Sequence, residues 1–225
     1  MFKTLLGEVS VHSLLLLLTC LVLLFIVPLF PREWQSLLYI ISHIVLLITS
    51  TLMIENKKKN YVVAVSILIG LLSVSKIMYW RRLEVITGAL SVLFFIAITL
   101  ILIKQVLHKK PGLEMILQAI GGFLVFGIAM VFVMNALVSF VPNSFTIAGA
   151  PMIASQGQFS DLSYFVFITY TTVGYGDIVP MNDISRTFAK FVALSGQIYN
   201  SVIVAILVGK YLMVEQSKNS SGEAN

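Results

Sequence analysis

The chain has 225 residues, 58% of them hydrophobic and only 11% charged, with a mean hydropathy of +0.97. A water-soluble domain carries about a quarter of its residues as charges, so this composition excludes an ordinary soluble protein and makes lipid the main solvent. The formal net charge of +5 could suit nucleic acid, but the basic residues sit in short clusters between apolar runs, such as Lys57 to Lys59 and Lys104, Lys109 and Lys110. That placement marks membrane loops, and no nucleic-acid partner is expected.

A helix needs about 20 apolar residues to cross a hydrocarbon core about 30 Å thick. Six stretches qualify, roughly 11–30, 34–54, 61–80, 83–103, 113–141 and 187–213. The first follows Lys3 and could be a signal peptide, but it is too long for one and ends at Pro28 and Pro31 without a small-residue cleavage site. It is therefore expected to be a retained helix. Cys20, the only cysteine, lies inside it and can form no intrachain disulfide.

Short links join the first four stretches. Their layout suggests a voltage sensor, yet the fourth carries no arginine or lysine, only Glu84 near its start, and the second lacks acidic partners. Each gating charge is worth about 2.3 kcal/mol per 100 mV, so steep voltage dependence is not expected from this domain. His108-Lys109-Lys110-Pro111-Gly112 then makes a basic, helix-breaking linker, and residues 1–110 read as one domain with 111–214 as the next. Residues 142–157 are rich in Pro, Ser, Gly and Asn and read as an extracellular loop. A semi-apolar stretch from Asp161 to Thr172 is too short to span. The polar tail, 215–225, is expected to be disordered. With both termini in the cytoplasm, nine lysines fall inside against five basic residues outside, the bias that membrane insertion favours. Arg81 and Arg82 on an outside turn run against it.

The most specific segment is Thr171-Thr172-Val173-Gly174-Tyr175-Gly176-Asp177. An ion entering a narrow pore must exchange its water shell for protein oxygens, and backbone carbonyls serve if successive residues all turn C=O inward. Such a ribbon needs dihedrals that side chains oppose, which suits Gly174 and Gly176 at alternate positions. Irregular backbone at membrane depth is tolerated only where it lines a cavity or is buried in protein.

The segment 172–177, framed by a spanning helix, a loop, a short helix and a further spanning helix, resembles the signature of tetrameric potassium channels. The resemblance covers roughly 113–213. It implies an all-α membrane protein of six transmembrane helices plus a re-entrant pore helix and selectivity filter, assembled as a homotetramer around K⁺, with no organic cofactor. It implies that the carbonyls of Thr172, Val173, Gly174 and Tyr175 and the Thr172 hydroxyl hold K⁺, and that Gly176 and Asp177 complete the filter. Tyr164, Phe165, Ile168 and Thr171 fall at filter-supporting positions, the first two at those of an aromatic cuff. The carbonyl end of the short helix would favour a cation. Some relatives place a glutamate where this chain has Ile168, bonded to the aspartate after the filter. That carboxyl pair is impossible here, so inactivation that depends on it should be absent or altered.

Several single residues carry two readings each. Gly196 could hinge the last helix or simply permit close packing. Gln197, Asn200 and Ser201 are polar residues in that helix and should face a cavity or the bundle interior; with Val204 and Gly196 they are the candidate cavity and gate positions. His43 could sense protons or be a neutral residue bonded between helices. Lys76 can snorkel. The Lys104–Lys110 linker could bind anionic lipid, although topology alone explains its charge.

No nucleophile–base pair, phosphate loop or metal cluster is evident, so no enzymatic activity is expected. Since one chain holds one signature, four chains are needed for a ring of carbonyls. The expected function is passive potassium permeation across a plasma membrane, the chain's compactness suggesting a bacterial or archaeal one. The rivals are a weakly selective cation pore, which Tyr175 argues against, a potassium-uptake transporter subunit, which the single repeat argues against, and a silent regulatory subunit.

Overall fold

The computed structural model of the protein describes residues 9–54, 59–73, 81–141, 143–147, 149–151 and 158–222. Helix α1 (Val11–Leu21) begins at Ser10, whose hydroxyl accepts the His12 amide. It continues through a π turn, Val22–Ile26, and a 3-10 turn, Val27–Leu29. Pro28 has no N–H to give the helical ladder, which explains why regular α geometry stops short of it. Helix α2 (Arg32–Leu52) starts directly after Pro31. Then come α3 (Lys59–Ser73), α4 (Arg81–His108) and α5 (Leu113–Phe140). The short helix α6 (Gln158–Tyr170) and the long α7 (Asp183–Gly222) complete the set.

Among the described residues five helical segments are long and apolar enough to cross a membrane: Val11–Leu29, Arg32–Leu52, Ile86–His108, Leu113–Phe140 and Asp183–Val214. The expected third span is seen as α3 as far as Ser73, and its remainder, with Lys76, lies outside the described residues, as do Lys57 and Lys58. Three boundaries differ from expectation. The short helix runs from Gln158 to Tyr170 rather than from Asp161 to Thr172. The fourth helix reaches His108 and absorbs the start of the basic linker. The last helix continues to Gly222, so the polar residues 215–222, expected to be disordered, are helical. A small sheet also interrupts the all-α plan. Strands β1 (Phe145–Ile147), β2 (Ala150–Pro151) and β3 (Ile178–Pro180) form it in the antiparallel order β2-β1-β3. Thr146 pairs with both Pro151 and Val179, tying the outer loop to the chain just after Asp177.

The hairpin of α4 and α5 is the most extensive helix pairing, and α1 also lies on α5. In lipid, burial of apolar surface does not drive helices together; close packing and hydrogen bonds do. Helix α5 shows both. Gly122 leaves room for the Tyr199 side chain of α7, whose hydroxyl donates to the Ala119 carbonyl at 3.0 Å. On α7, Gly196 lies so close to the end of α6 that any Cβ there would collide with the Tyr170 carbonyl oxygen.

One end of the bundle is fastened by polar groups. Glu114, in the first turn of α5, accepts the Ser10 amide at 2.9 Å, the Ser13 hydroxyl at 2.6 Å, Gln118 Nε2 at 2.9 Å and Lys109 Nζ at 3.2 Å. A carboxylate suits the amino-terminal end of a helix, where amide groups lack partners and the dipole is positive. Lys210 of α7 donates to the carbonyls of Val106 at 2.8 Å and Lys109 at 2.6 Å, satisfying the end of α4 in the complementary way. Gln105 Nε2 reaches the Met53 carbonyl, at 2.8 Å, and so joins α2 to the same end.

Two outcomes follow. Replacing Glu114→Ala removes a charged acceptor shared by four donors and should lower stability by roughly 2 kcal/mol, read as a lower unfolding midpoint in detergent, with Glu114→Gln intermediate. Gly196→Ala forces α7 away from Tyr170, an overpacking that costs about 1–3 kcal/mol. The same assay should show the loss, while Gly209→Ala, where nothing lies within 4 Å, should leave the midpoint in place.

Candidate functional site

Helix α6 carries the 172–177 segment at its carboxyl end, and packing fixes where that end lies. Tyr170 is fully buried, with Phe123 of α5 at 4.5 Å between ring centroids and Phe126 and Phe167 at its edges. On its other side α7 passes at Gly196. The even contest between hinge and packing at Gly196 thus gains a specific packing cause.

The helix ends in a way its sequence does not announce. The Val173 amide donates back to the Ile168 carbonyl at 2.8 Å, and the Thr172 amide to the Thr169 carbonyl at 3.0 Å. These are the two bonds of a Schellman closure, whose hallmark is a left-handed residue after the last turn. Here that residue is Thr172, at φ +65°. A β-branched residue pays a steric penalty there, and strain of this kind costs on the order of 1–3 kcal/mol. The Gly174 amide adds a second bond to the Ile168 carbonyl, at 3.0 Å, and Thr171 Oγ1 donates to Phe167 O at 2.6 Å.

Left-handed residues then recur at every second position, Thr172 at φ +65°, Gly174 at +58° and Gly176 at +78°. The sequence reading identified the two glycines, and Thr172 is the third member that it missed. Alternating handedness turns successive peptide planes to a common side, which is the geometry that a row of inward carbonyls requires. Nothing lies within 4 Å of the Cβ positions of Gly174 and Gly176, so crowding does not explain the glycines; their φ values do.

At the far end of the segment, Asp177 is held by α6. Tyr164 Oη donates to Asp177 Oδ2 at 2.7 Å, and Asp177 Oδ1 accepts the Ile178 amide at 3.1 Å. The hydrogen bond to Asp177, helped by its charge, pushes the Tyr164 phenol up to about 12, so Tyr164 remains a neutral donor at any physiological pH. The position of Ile168 offers no carboxyl, and the aspartate takes its helix partner from Tyr164 instead. Phe165 turns the other way, buried against Phe145 of β1 at 5.0 Å, and so braces the sheet behind the segment. At the start of α6, burial pushes the Asp161 carboxyl up, partly opposed by the Arg32 guanidinium.

Residues 171–177 are exposed in the single chain, Tyr175 by 72% and Val173 by 54%. Gln197, Asn200, Ser201 and Val204 are also exposed, on the part of α7 that its own chain leaves uncovered. Phe191, Leu194, Ile198 and Val202 of the same helix are large apolar side chains left open as well. At the opposite end of the bundle, Lys109 is engaged with Glu114, while Lys104 and Lys110 are exposed.

Residues 122–212 match the model of a family described as "Ion channel". A small conductance calcium-activated potassium channel-like protein 3 from Caenorhabditis elegans is 33% identical over 61 residues, which cover 27% of this chain and 9% of that protein. The matched stretch is thus under a tenth of that relative's length. No solved structure matches. Residues 122–212 are therefore an ion-channel domain in an integral membrane protein, and the domain match together with the nematode relative supports placing it in the potassium channel family.

Proposed function

We propose that four copies of this chain form a potassium-selective channel in which residues 172–177 are the filter. The observation that carries this reading is the alternation of positive φ at Thr172, Gly174 and Gly176. In a ring of four such ribbons the carbonyls of Thr172, Val173, Gly174 and Tyr175, with the Thr172 hydroxyl, replace the hydration shell of K⁺. Selectivity then depends on holding that ribbon in shape, and the bonds from Ile168 at one end and Tyr164 at the other do so.

The exposure of the segment in one chain supports assembly. A filter whose Val173 and Tyr175 side chains face open space has no wall until neighbours supply it. The uncovered apolar face of α7 supplies a surface for that contact, since exposed large hydrophobic patches mark interfaces. Assembly leaves Gln197, Asn200, Ser201 and Val204 as the residues available to line an inner cavity. The basic end, with Lys104 and Lys110 free to meet anionic headgroups, belongs at the cytoplasmic face, and both termini with it. The name of the nematode relative, a potassium channel-like protein, agrees with K⁺ as the permeant ion.

Reconstitution in liposomes under opposed K⁺ and Na⁺ gradients tests the proposal. The reversal potential should lie near the potassium value, about 59 mV for each tenfold gradient, and Tyr175→Ala should move it toward zero. A wild-type value near zero with clear current would instead favour the weakly selective pore. The Tyr164→Phe variant keeps the ring but loses the bond to Asp177. It should retain the potassium reversal potential while its current decays faster during sustained activity, and an unchanged decay would remove Tyr164 from the filter's support.

A further inference from the structure

Helix α6 holds residues 172–177 at both ends. Its Ile168 carbonyl receives the Val173 and Gly174 amides, and its Tyr164 hydroxyl donates to Asp177 at 2.7 Å. Both partners stand on one short helix of 13 residues, so a tilt of that helix moves the two ends of the segment together. Whatever fixes the direction of α6 therefore fixes the segment.

The carboxyl end of α6 is set within the ion-channel domain, by the Phe123 and Phe126 rings beside Tyr170 and by the close passage of Gly196. Its amino end has a different support. Phe159, the second residue of α6, meets rings from both parts of the molecule: Phe132 of α5 at 5.5 Å, edge-on, and Tyr39 of α2 at 4.6 Å, tilted by 54°. These separations suit attractive aromatic pairs. Tyr39 and Phe132 are both buried, so the contact lies inside the folded chain and not on its lipid-facing surface. Phe132 in turn stacks on Phe95 of α4 at 5.9 Å, which brings a second helix of the four-helix part to the same place. Two polar contacts lie beside the rings. Arg32, the first residue of α2, attracts the Asp161 carboxylate of α6, and Gln158 Nε2 donates to Asn135 Oδ1 of α5 at 3.4 Å.

A helix rises about 1.5 Å per residue, which puts Phe159 about 14 Å along α6 from Ile168. With the Tyr170 end enclosed, a sideways shift of Phe159 turns α6 about that end. The turn reaches Ile168 O and Tyr164 Oη at once.

We propose that Tyr39 is a positioning residue for the ion-conducting segment. Through Phe159 it sets the tilt of α6, so the arrangement of the first four helices acts on residues 172–177 directly. The consequence for permeation rests on those residues being the filter; the effect on their backbone does not.

Amide hydrogen exchange in nanodiscs tests the contact without conduction, since it reports the opening of individual hydrogen bonds. Tyr39→Leu keeps bulk but loses the ring, and should speed exchange at the Val173 and Gly174 amides several-fold. Phe159→Leu should do the same, and the double variant should be no faster than the faster single one, because both act through one contact. Leu46→Ala, fully buried on the same helix, should lower the unfolding midpoint yet leave those two amides at the wild-type rate. Unchanged exchange in Tyr39→Leu, an equal rise in Leu46→Ala, or additive effects in the double variant would overturn the proposal. In liposomes, Tyr39→Leu should move the reversal potential toward zero and Tyr39→Phe should retain the wild-type value. A potential that stays in place in Tyr39→Leu would reject the link to permeation. A wild type without potassium selectivity would instead count against the filter reading, and exchange at Val173 and Gly174 would still decide whether Tyr39 positions the segment.

Discussion

The rest of the site depends on one carbonyl group. Ile168 O, in the last turn of α6, receives the amides of both Val173 and Gly174. Ordinarily such a carbonyl would be left without a partner at a helix end. Here it draws the following chain back on itself, and that reversal sets Thr172 in the left-handed region. Once Thr172 is fixed, the next two left-handed positions fall on Gly174 and Gly176, where no side chain opposes them. The strained backbone of residues 172–177 is thus an extension of a helix-closing motif. The strain at Thr172 is sustained because the helix end itself cannot move, with Tyr170 enclosed by α5 aromatics and by Gly196 of α7.

The same need for partners explains the molecule at its other end. Lipid offers no hydrogen bonds, so each exposed helix terminus must find donors or acceptors within the protein or in the interface. Glu114 answers for the start of α1 and Lys210 for the end of α4. Because Lys109 bonds Glu114 through its side chain and Lys210 through its carbonyl, the two fastenings are continuous. They join α1, α4, α5 and α7 without any long-range charge.

How much of this could be read in the sequence differs by scale. Five of the six expected spans were legible because apolar length is a property of composition, and the left-handed backbone at Gly174 and Gly176 because two glycines at alternate positions have few other uses. Helix ends were not. The reach of α6 to Tyr170, and not Thr172, is decided by amides that lie beyond the helix. The helical state of 215–222 continues a helix whose apolar pattern has already stopped. Strands β1 to β3 are too short to carry a period, and their pairing joins residues on both sides of α6. Partnerships were the least legible. Ile168 could be seen to lack a carboxyl, but not that Tyr164 would stand in as the partner of Asp177. His43 could be seen to need hydrogen bonds, but not that Ser73 and Ser91 would supply them from two different helices.

The short connection between α4 and α5 constrains how the two halves can communicate. Residues 109–112 leave no slack, so α4 folds back directly on α5 of its own chain. A rearrangement among the first four helices can therefore act on α5 along its length, on α7 through Lys210, and on α6, where Tyr39 of α2 meets the Phe159 ring at 4.6 Å. With no basic residue in the expected span 83–103, the membrane field has little to pull on there. Hydroxyls are buried along α2, α3 and α4. Most of them, Thr49, Ser66 and Thr99 among them, bond to a carbonyl of their own helix and stiffen nothing between helices. Ser73 and Ser91 differ in that each also reaches an imidazole on a third helix. Those two contacts tie α2 to α3 and α4 beside the ion-channel domain.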